Sequence, residues 1–156
     1  MCRSIIDTVK PTRTYWSIEP MPWAYPHTVD ANRQLLKAVD RERFAIHLDP
    51  VNMVNSPVLY YRSGDLIREC FAKLGPYIRS CHGKDIHLRE DIYTTQLTEI
   101  RIGLGGLDYL TYLKELSQFP EVPLMLEHLR TAEDFKLAAD HLRHLAGQNG
   151  LSFREL

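Results

Sequence analysis

No surplus of charge of either sign runs through this chain: 19 lysines and arginines face 20 aspartates and glutamates, a formal net charge of −1 at pH 7. Binding to a phosphate backbone rests on clustered, uncompensated cations, so no nucleic-acid partner is expected. Long apolar runs are missing as well. Stretches such as residues 122–126 fall far short of the roughly 20 residues that cross a bilayer, and the N-terminus lacks the apolar region of a signal peptide. No membrane partner is expected, and the cytoplasm is the expected location. Cysteines are few. Cys2, Cys70 and Cys81 show no Cys-x-x-Cys spacing, which argues against both a disulfide framework and a thiolate zinc site. Cys81 precedes His82, but adjacent strand residues point to opposite faces, so Cys81 reads as a buried thiol and not as a nucleophile. Low-complexity tracts, charge blocks and interdomain linkers are also lacking. With 156 residues, 44% of them hydrophobic, the chain reads as one domain over residues 1–156.

What is present is a regular alternation. Short apolar runs at residues 14–18, 44–48, 77–81 and 123–126 predict four buried strands. A helical period follows each. Leu35, Leu36 and Val39 mark the first helix, and Leu66, Ile67, Cys70, Phe71 and Leu74 the second. Leu110, Leu113 and Leu116 mark the third. The fourth carries Phe135, Ala138, Ala139, Leu142 and Leu145, and starts at Thr131 with Asp134 three residues on as a capping pair. Gly75-Pro76 and Phe119-Pro120 end the second and third helices, and the first ten residues read as the tail of a preceding helix. Parallel strands need a crossover, and helices between strands supply it, so the class is α/β with parallel βα units. Residues 83–106 read as a long loop, a usual place for function.

Strand parity then picks out a site. Residues two apart share a face. Tyr15, Ser17 and Glu19 share one in the first strand, and Ala45, His47 and Asp49 in the second; Ser80 and His82 do so in the third, and Pro123, Met125 and Glu127 in the fourth. The last member of each set is a carboxylate or an imidazole. Three carboxylates and a histidine converging at strand ends repel one another and are costly to desolvate unless a cation neutralises them. Glu19, Asp49, His82 and Glu127 are therefore candidate ligands of one divalent metal. Oxygen-rich ligation with one imidazole favours Mn²⁺ or Mg²⁺, with Zn²⁺ or Co²⁺ as alternatives. Taken singly, each residue has a plainer reading, such as a helix N-cap for Asp49 before Pro50 or a surface ion pair for Glu127 before His128.

Several segments resemble, in order, the xylose-isomerase-like barrel family, which includes sugar-phosphate isomerases and epimerases, inosose dehydratases and a branch of apurinic endonucleases. Ser17-Ile18-Glu19-Pro20-Met21-Pro22-Trp23 is similar to the family's fifth strand with its metal-binding glutamate, and His47-Leu48-Asp49-Pro50-Val51-Asn52 to the sixth with its aspartate. His82-Gly83-Lys84-Asp85 resembles the seventh-strand histidine with a Lys-Asp pair, and Leu126-Glu127-His128 the eighth-strand glutamate. Gly103-Leu104-Gly105-Gly106-Leu107-Asp108-Tyr109 resembles the loop into the seventh helix. The resemblance runs over residues 14–146.

It implies a TIM (β/α)8 barrel of which this chain supplies the C-terminal half, four strands, because a whole barrel takes about 250 residues. An open half exposes two sheet edges and an apolar inner face, which implies a homodimer, a partner chain that completes the barrel, or a truncated product. The implied activity is isomerisation or epimerisation of a sugar or sugar phosphate, with the metal polarising a carbonyl and Glu19 and Glu127 as the catalytic proton carriers on two sides of the substrate. Asn52 stands where the sugar epimerases place a substrate-binding histidine, and it, Lys84, Arg89 and Arg101 are candidate substrate contacts. Two other readings stand beside this one. One is a non-catalytic fragment or a subunit of a split barrel. The other is metal-assisted phosphodiester hydrolysis, which needs a basic groove and further histidines; His47, His87 and His128 are the recruits, though His128 has outward parity.

Overall fold

The structure, a computed structural model, describes residues 1–152, so the last four residues of the expected 1–156 domain lie outside the described residues. Helix α1 (Cys2–Val9) leads into β1 (Trp16–Ile18), then α2 (Val29–Val39) and β2 (Phe44–Leu48). Helices α3 (Pro57–Tyr61) and α4 (Ser63–Leu74) cross to β3 (Ile78–Gly83), followed by β4 (Asp85–Leu88), β5 (Leu97–Ile100) and α5 (Tyr109–Leu116). The chain closes with β6 (Leu124–Leu126) and α6 (Ala132–Gln148). One sheet has the order β1-β2-β3-β6, every neighbour parallel. Four parallel strands with crossover helices make half of a (β/α)8 barrel.

The helices start where side chains satisfy free backbone N–H groups. Thr28 accepts a hydrogen bond from the Ala31 amide, Asp108 from Thr111, and Thr131 from Asp134, all three one turn into their helices. On the helix side of the sheet, Phe44, Ile46, Leu48, Ile78 and Cys81 are buried against Leu36 and Val39 of α2, Ile67, Phe71 and Leu74 of α4, and Tyr112 and Leu116 of α5. Each such aliphatic side chain contributes roughly 1.5–3 kcal/mol by leaving water, so this layer dominates the stability of the fold. Truncating fully buried Ile67 to alanine should cost about 2–5 kcal/mol.

One irregularity sets the geometry of the other face. Ile46 pairs with Ile78 but His47 pairs with Ser80, so Arg79 is bulged out of register. A bulge shifts the face on which the following side chains project. Here it puts Ser80 and His82 on the same face as His47 and Asp49; a regular ladder would have set Arg79 and Cys81 there.

Two expectations need correction. Residues 83–106 are not one loop: β4 and β5 form an antiparallel hairpin in which Asp85 faces Ile100 and Leu88 faces Leu97. Ile86 and Leu88 are buried and give the hairpin its apolar side. The inner face of the sheet is not apolar either, since Ser17, His47, Ser80 and His82 share it with Ala45 and Met125. The two open edges are as expected, because β1 and β6 each pair on one side only within this sheet. No helix among the described residues is long and apolar enough to cross a membrane.

Candidate metal centre

Glu19 follows β1, Asp49 follows β2, His82 is the last residue but one of β3 and Glu127 follows β6. Parallel strands in near register bring these four to one end of the sheet, and one donor atom of each lies within 4.8 Å of all the others. Two ligands on opposite sides of an ion held at about 2.1 Å are about 4.2 Å apart, so side-chain adjustments of well under an ångström would enclose a cation. His82 Nδ1 is 3.1 Å from Glu19 Oε1, 3.1 Å from Glu127 Oε1 and 3.9 Å from Asp49 Oδ2.

Lys84 enters the same cluster. The chain continues from His82 through Gly83, so Lys84 returns to the inner face, and its ammonium lies 2.9 Å from Asp49 Oδ2, 2.8 Å from Glu127 Oε1 and 3.4 Å from Glu99 Oε1. It is 3% exposed, so it is no solvated loop charge. The approach is close in distance but poor in direction: Asp49 Oδ2 and Glu127 Oε1 are buried and have no properly oriented hydrogen bond. Two bare carboxylate oxygens beside an imidazole nitrogen are the donor set of a hard divalent ion, and the residues therefore fit one, provided that the ammonium yields its place.

The ionisation states follow from these contacts. Burial pushes the Asp49 carboxyl up to about 7, against the pull of Lys84. Burial acts on Glu127 in the same sense, but Lys84 beside it, with the neighbouring Asp49 and His82, holds Glu127 below the usual glutamate value. Burial disfavours the Lys84 charge, yet the Asp49 and Glu127 carboxyls raise its pKa above the ordinary lysine value. His47 is lowered by burial and by neighbouring His82. The Cys81 thiol is buried on the opposite face, where burial pushes it up to about 12, in keeping with an inert side chain.

The remaining sequence-selected residues divide. Asn52 is brought in: its backbone amide donates to Asp49 Oδ1 at 3.2 Å and its side-chain amide donates to Glu19 Oε1 at 3.0 Å, so it orients two candidate ligands. Arg89 and Arg101 are not. Arg89 pairs with Asp91 on the hairpin, and Arg101 reaches Asp134 at 4.0 Å. His87 is an exposed hairpin residue.

Two further residues join the cluster without a clear sequence signal. Glu99, on β5, is carried in by the hairpin to meet Lys84. Strand parity points His128 outward, but its backbone is left-handed with φ 56°, and Nδ1 meets Glu99 Oε2 at 2.6 Å while Nε2 lies 3.5 Å from Glu127 Oε2. Parity holds only while the strand continues, and β6 ends at Leu126.

Support below the cluster is rigid. Tyr112 donates to the His82 carbonyl at 2.9 Å and Tyr109 to the Lys84 carbonyl at 2.7 Å, fixing the end of β3 from α5. Asp85 is buried and accepts from the amides of Ile86, Gly103, Gly105 and Leu107, which ties the loop after β5 to the base of the hairpin.

No protein-family profile and no curated protein matches the chain. Solved structures do. A xylose isomerase domain protein from Planctomyces limnophilus superposes with a TM-score of 0.70 at 22% identity, over 94% of this chain and 50% of that one. A xylose isomerase-like TIM barrel protein from Mycobacterium smegmatis, solved in complex with magnesium, gives 0.66 at 20% identity, over 94% and 47%. A D-psicose 3-epimerase from Clostridium cellulolyticum H10, solved with D-tagatose, gives 0.61 at 14% identity, over 92% and 53%. The fold is thus that of a xylose-isomerase-like TIM barrel, and the chain spans about half the length of the solved structures it matches.

Proposed function

We propose that this chain is the metal-binding half of a sugar or sugar-phosphate isomerase or epimerase, with Glu19, Asp49, His82 and Glu127 as ligands of one divalent ion, Mn²⁺ or Mg²⁺ before Zn²⁺ or Co²⁺. The observation that carries the reading is the convergence of these four donors within 4.8 Å at the strand ends. A magnesium-bound barrel and a ketose 3-epimerase among similar folds support the ion class and the substrate class. When bound, the ion supplies a Lewis acid that draws charge from a substrate carbonyl and its neighbouring hydroxyl.

The residues then have separable tasks. Asn52 holds Glu19 by its side-chain amide and Asp49 through its backbone amide, so both carboxylates keep their aim. Glu19 and Glu127 come from strands at the two edges of the sheet and flank the space between them. In an epimerisation one of them, as carboxylate, takes the proton α to the carbonyl; the other, as carboxylic acid, returns a proton to the opposite face, after which the two have exchanged states. Lys84, freed from Asp49 and Glu127, is placed to offer its ammonium to a substrate oxygen or phosphate. Arg89 and Arg101 have no assigned contact in this arrangement.

Turnover tests the reading. Ketoses and ketose phosphates are incubated with Mn²⁺-loaded protein in D₂O, and deuterium uptake at the carbon beside the carbonyl is followed by NMR. Glu127→Gln should lower that exchange by at least about 100-fold; unchanged exchange removes Glu127 from the proton transfer. A second reading is favoured by the length of the match and by the two open edges. In it the chain is one subunit of a split barrel, a homodimer or a pair with a second four-stranded chain, and exchange needs that partner. Cys2, Cys70 and Cys81 are free thiols, in keeping with a reducing compartment such as the cytoplasm in either case.

A further inference from the structure

One histidine of the inner face takes no part in the centre just described. His47 lies on β2 two residues before Asp49, and its ring packs edge-on against His82 with 3.9 Å between centroids. Its Nδ1 meets Ser80 Oγ at 2.5 Å, a contact that exists because the bulge in β3 sets Ser80 opposite His47. Its Nε2 is buried and has no hydrogen-bond partner. A buried imidazole nitrogen without a partner loses its hydration for nothing in return. The contact accommodates the tautomer in which Nδ1–H donates to Ser80 Oγ and the Nε2 lone pair is bare, the form that a metal-ligating histidine adopts when its other nitrogen is held by a hydrogen bond. Donor atoms of Glu19, His47 and His82 lie within 4.8 Å of one another, a set distinct from the four-ligand cluster although it shares two members.

We propose that Glu19, His47 and His82 form a second, imidazole-rich metal site one layer deeper in the sheet, selective for Zn²⁺ and similar borderline ions over Mn²⁺ and Mg²⁺. Two imidazoles and one carboxylate, with a coordination position left for water, are a donor set that suits Zn²⁺, whereas Mn²⁺ and Mg²⁺ prefer oxygen. Lys84 sharpens the contrast. Its ammonium already stands at 2.9 Å from Asp49 Oδ2 and 2.8 Å from Glu127 Oε1, so an ion in the four-ligand centre must displace it. An ion held by Glu19, His47 and His82 leaves those two contacts intact. One sheet end thus carries two overlapping sites, and the identity of the ion decides which is filled. The inference rests on the proposed centre in so far as both use Glu19 and His82.

The test is calorimetric titration of Zn²⁺ and, separately, Mn²⁺ into the metal-free full chain and two variants, His47→Gln and Asp49→Asn, with far-ultraviolet circular dichroism confirming that each is folded. His47→Gln should weaken Zn²⁺ binding by at least about tenfold and leave Mn²⁺ within about twofold, while Asp49→Asn should do the reverse. Zn²⁺ binding that is untouched in His47→Gln, or lost together with Mn²⁺ in Asp49→Asn, overturns the second site and leaves the four-ligand centre standing. If the wild-type chain takes up Mn²⁺ but not Zn²⁺, the second site again falls alone; if it takes up neither ion, both sites fall. A measurement independent of the variants is the visible spectrum of the Co²⁺-loaded wild type. Intense bands of a low-coordinate ion with imidazole ligands support the site, and the weak bands of a six-coordinate oxygen-rich ion contradict it.

Discussion

Lys84 is the residue whose role the sequence conceals most. The sequence offers it as a candidate substrate contact, yet it is buried between two acids and serves as their counter-ion when no metal does. Removing one partner of such a pair leaves an uncompensated buried charge. Metal-free Lys84→Met should therefore be less stable than wild type by about 3 kcal/mol, and saturating Mn²⁺ should recover most of the loss; thermal melts with and without the ion decide it, and a loss that Mn²⁺ leaves in place would separate Lys84 from the metal. Asp49 gives a second prediction. Its carboxyl is raised to about 7 by burial, so between about pH 4 and pH 7 the folded chain keeps a proton that the unfolded chain has released. That group's contribution to stability then falls as pH rises through this window and is level above it. Metal-free Asp49→Asn should be more stable than wild type at pH 8, with the gap closing towards pH 4, as urea unfolding at both values will show. Because a proton and a metal compete for the same carboxylate, Mn²⁺ affinity should drop as pH falls below about 7. The convergence of Glu19, Asp49, His82 and Glu127 is legible within each strand because parity is a local property, although the face that His82 shares with Asp49 also depends on the bulge at Arg79. The place of His128 is not, because parity does not carry past the end of β6, where its backbone is left-handed.

At the scale of elements, the βα order was readable from periodicity, since each helix carries a continuous apolar stripe and each strand a short apolar run. The β4–β5 hairpin is hard to read from the sequence because its strands are only four residues long, β5 (Leu97-Thr98-Glu99-Ile100) does not alternate as β4 does, and residues 89–96 between them contain no glycine, proline or asparagine to mark a turn. What anchors it is Asp85, whose carboxylate collects four backbone amides, three of them from the loop after β5. Gly105 fits only because it has no side chain, as a Cβ there would lie 2.4 Å from Asp85 Oδ1 and 2.5 Å from the Ile86 carbonyl oxygen. Gly105→Ala should destabilise the chain by about 2 kcal/mol or more. It should also loosen Glu99 from Lys84, which hydrogen exchange of the β5 amides will detect; protection equal to wild type would show that the hairpin does not depend on this loop. The bulge at Arg79 is the other feature invisible in the sequence, because nothing in a single chain fixes the register between two strands.

At the largest scale, the described residues form a half-barrel with the candidate ligands at one end and two strand edges that pair on one side only. Edges of β1 and β6 present unpaired backbone groups, and both strands run in the same direction, so a second four-stranded unit can close eight strands without reversing any. Light scattering should accordingly show a mass above that of one 18.1 kDa chain; a monomer at every concentration would mean that the edges are blunted by their own side chains. The half-barrel was legible as a count of βα units, whereas what stands opposite the site is not encoded in these residues. The central claim is that this half builds a metal centre from its own four strand ends. Calorimetric titration of Mn²⁺ into metal-free protein of measured mass tests it directly: the account predicts one saturable site per chain that is lost in Asp49→Ala and in His82→Ala, and binding that is absent, or indifferent to both substitutions, would contradict it.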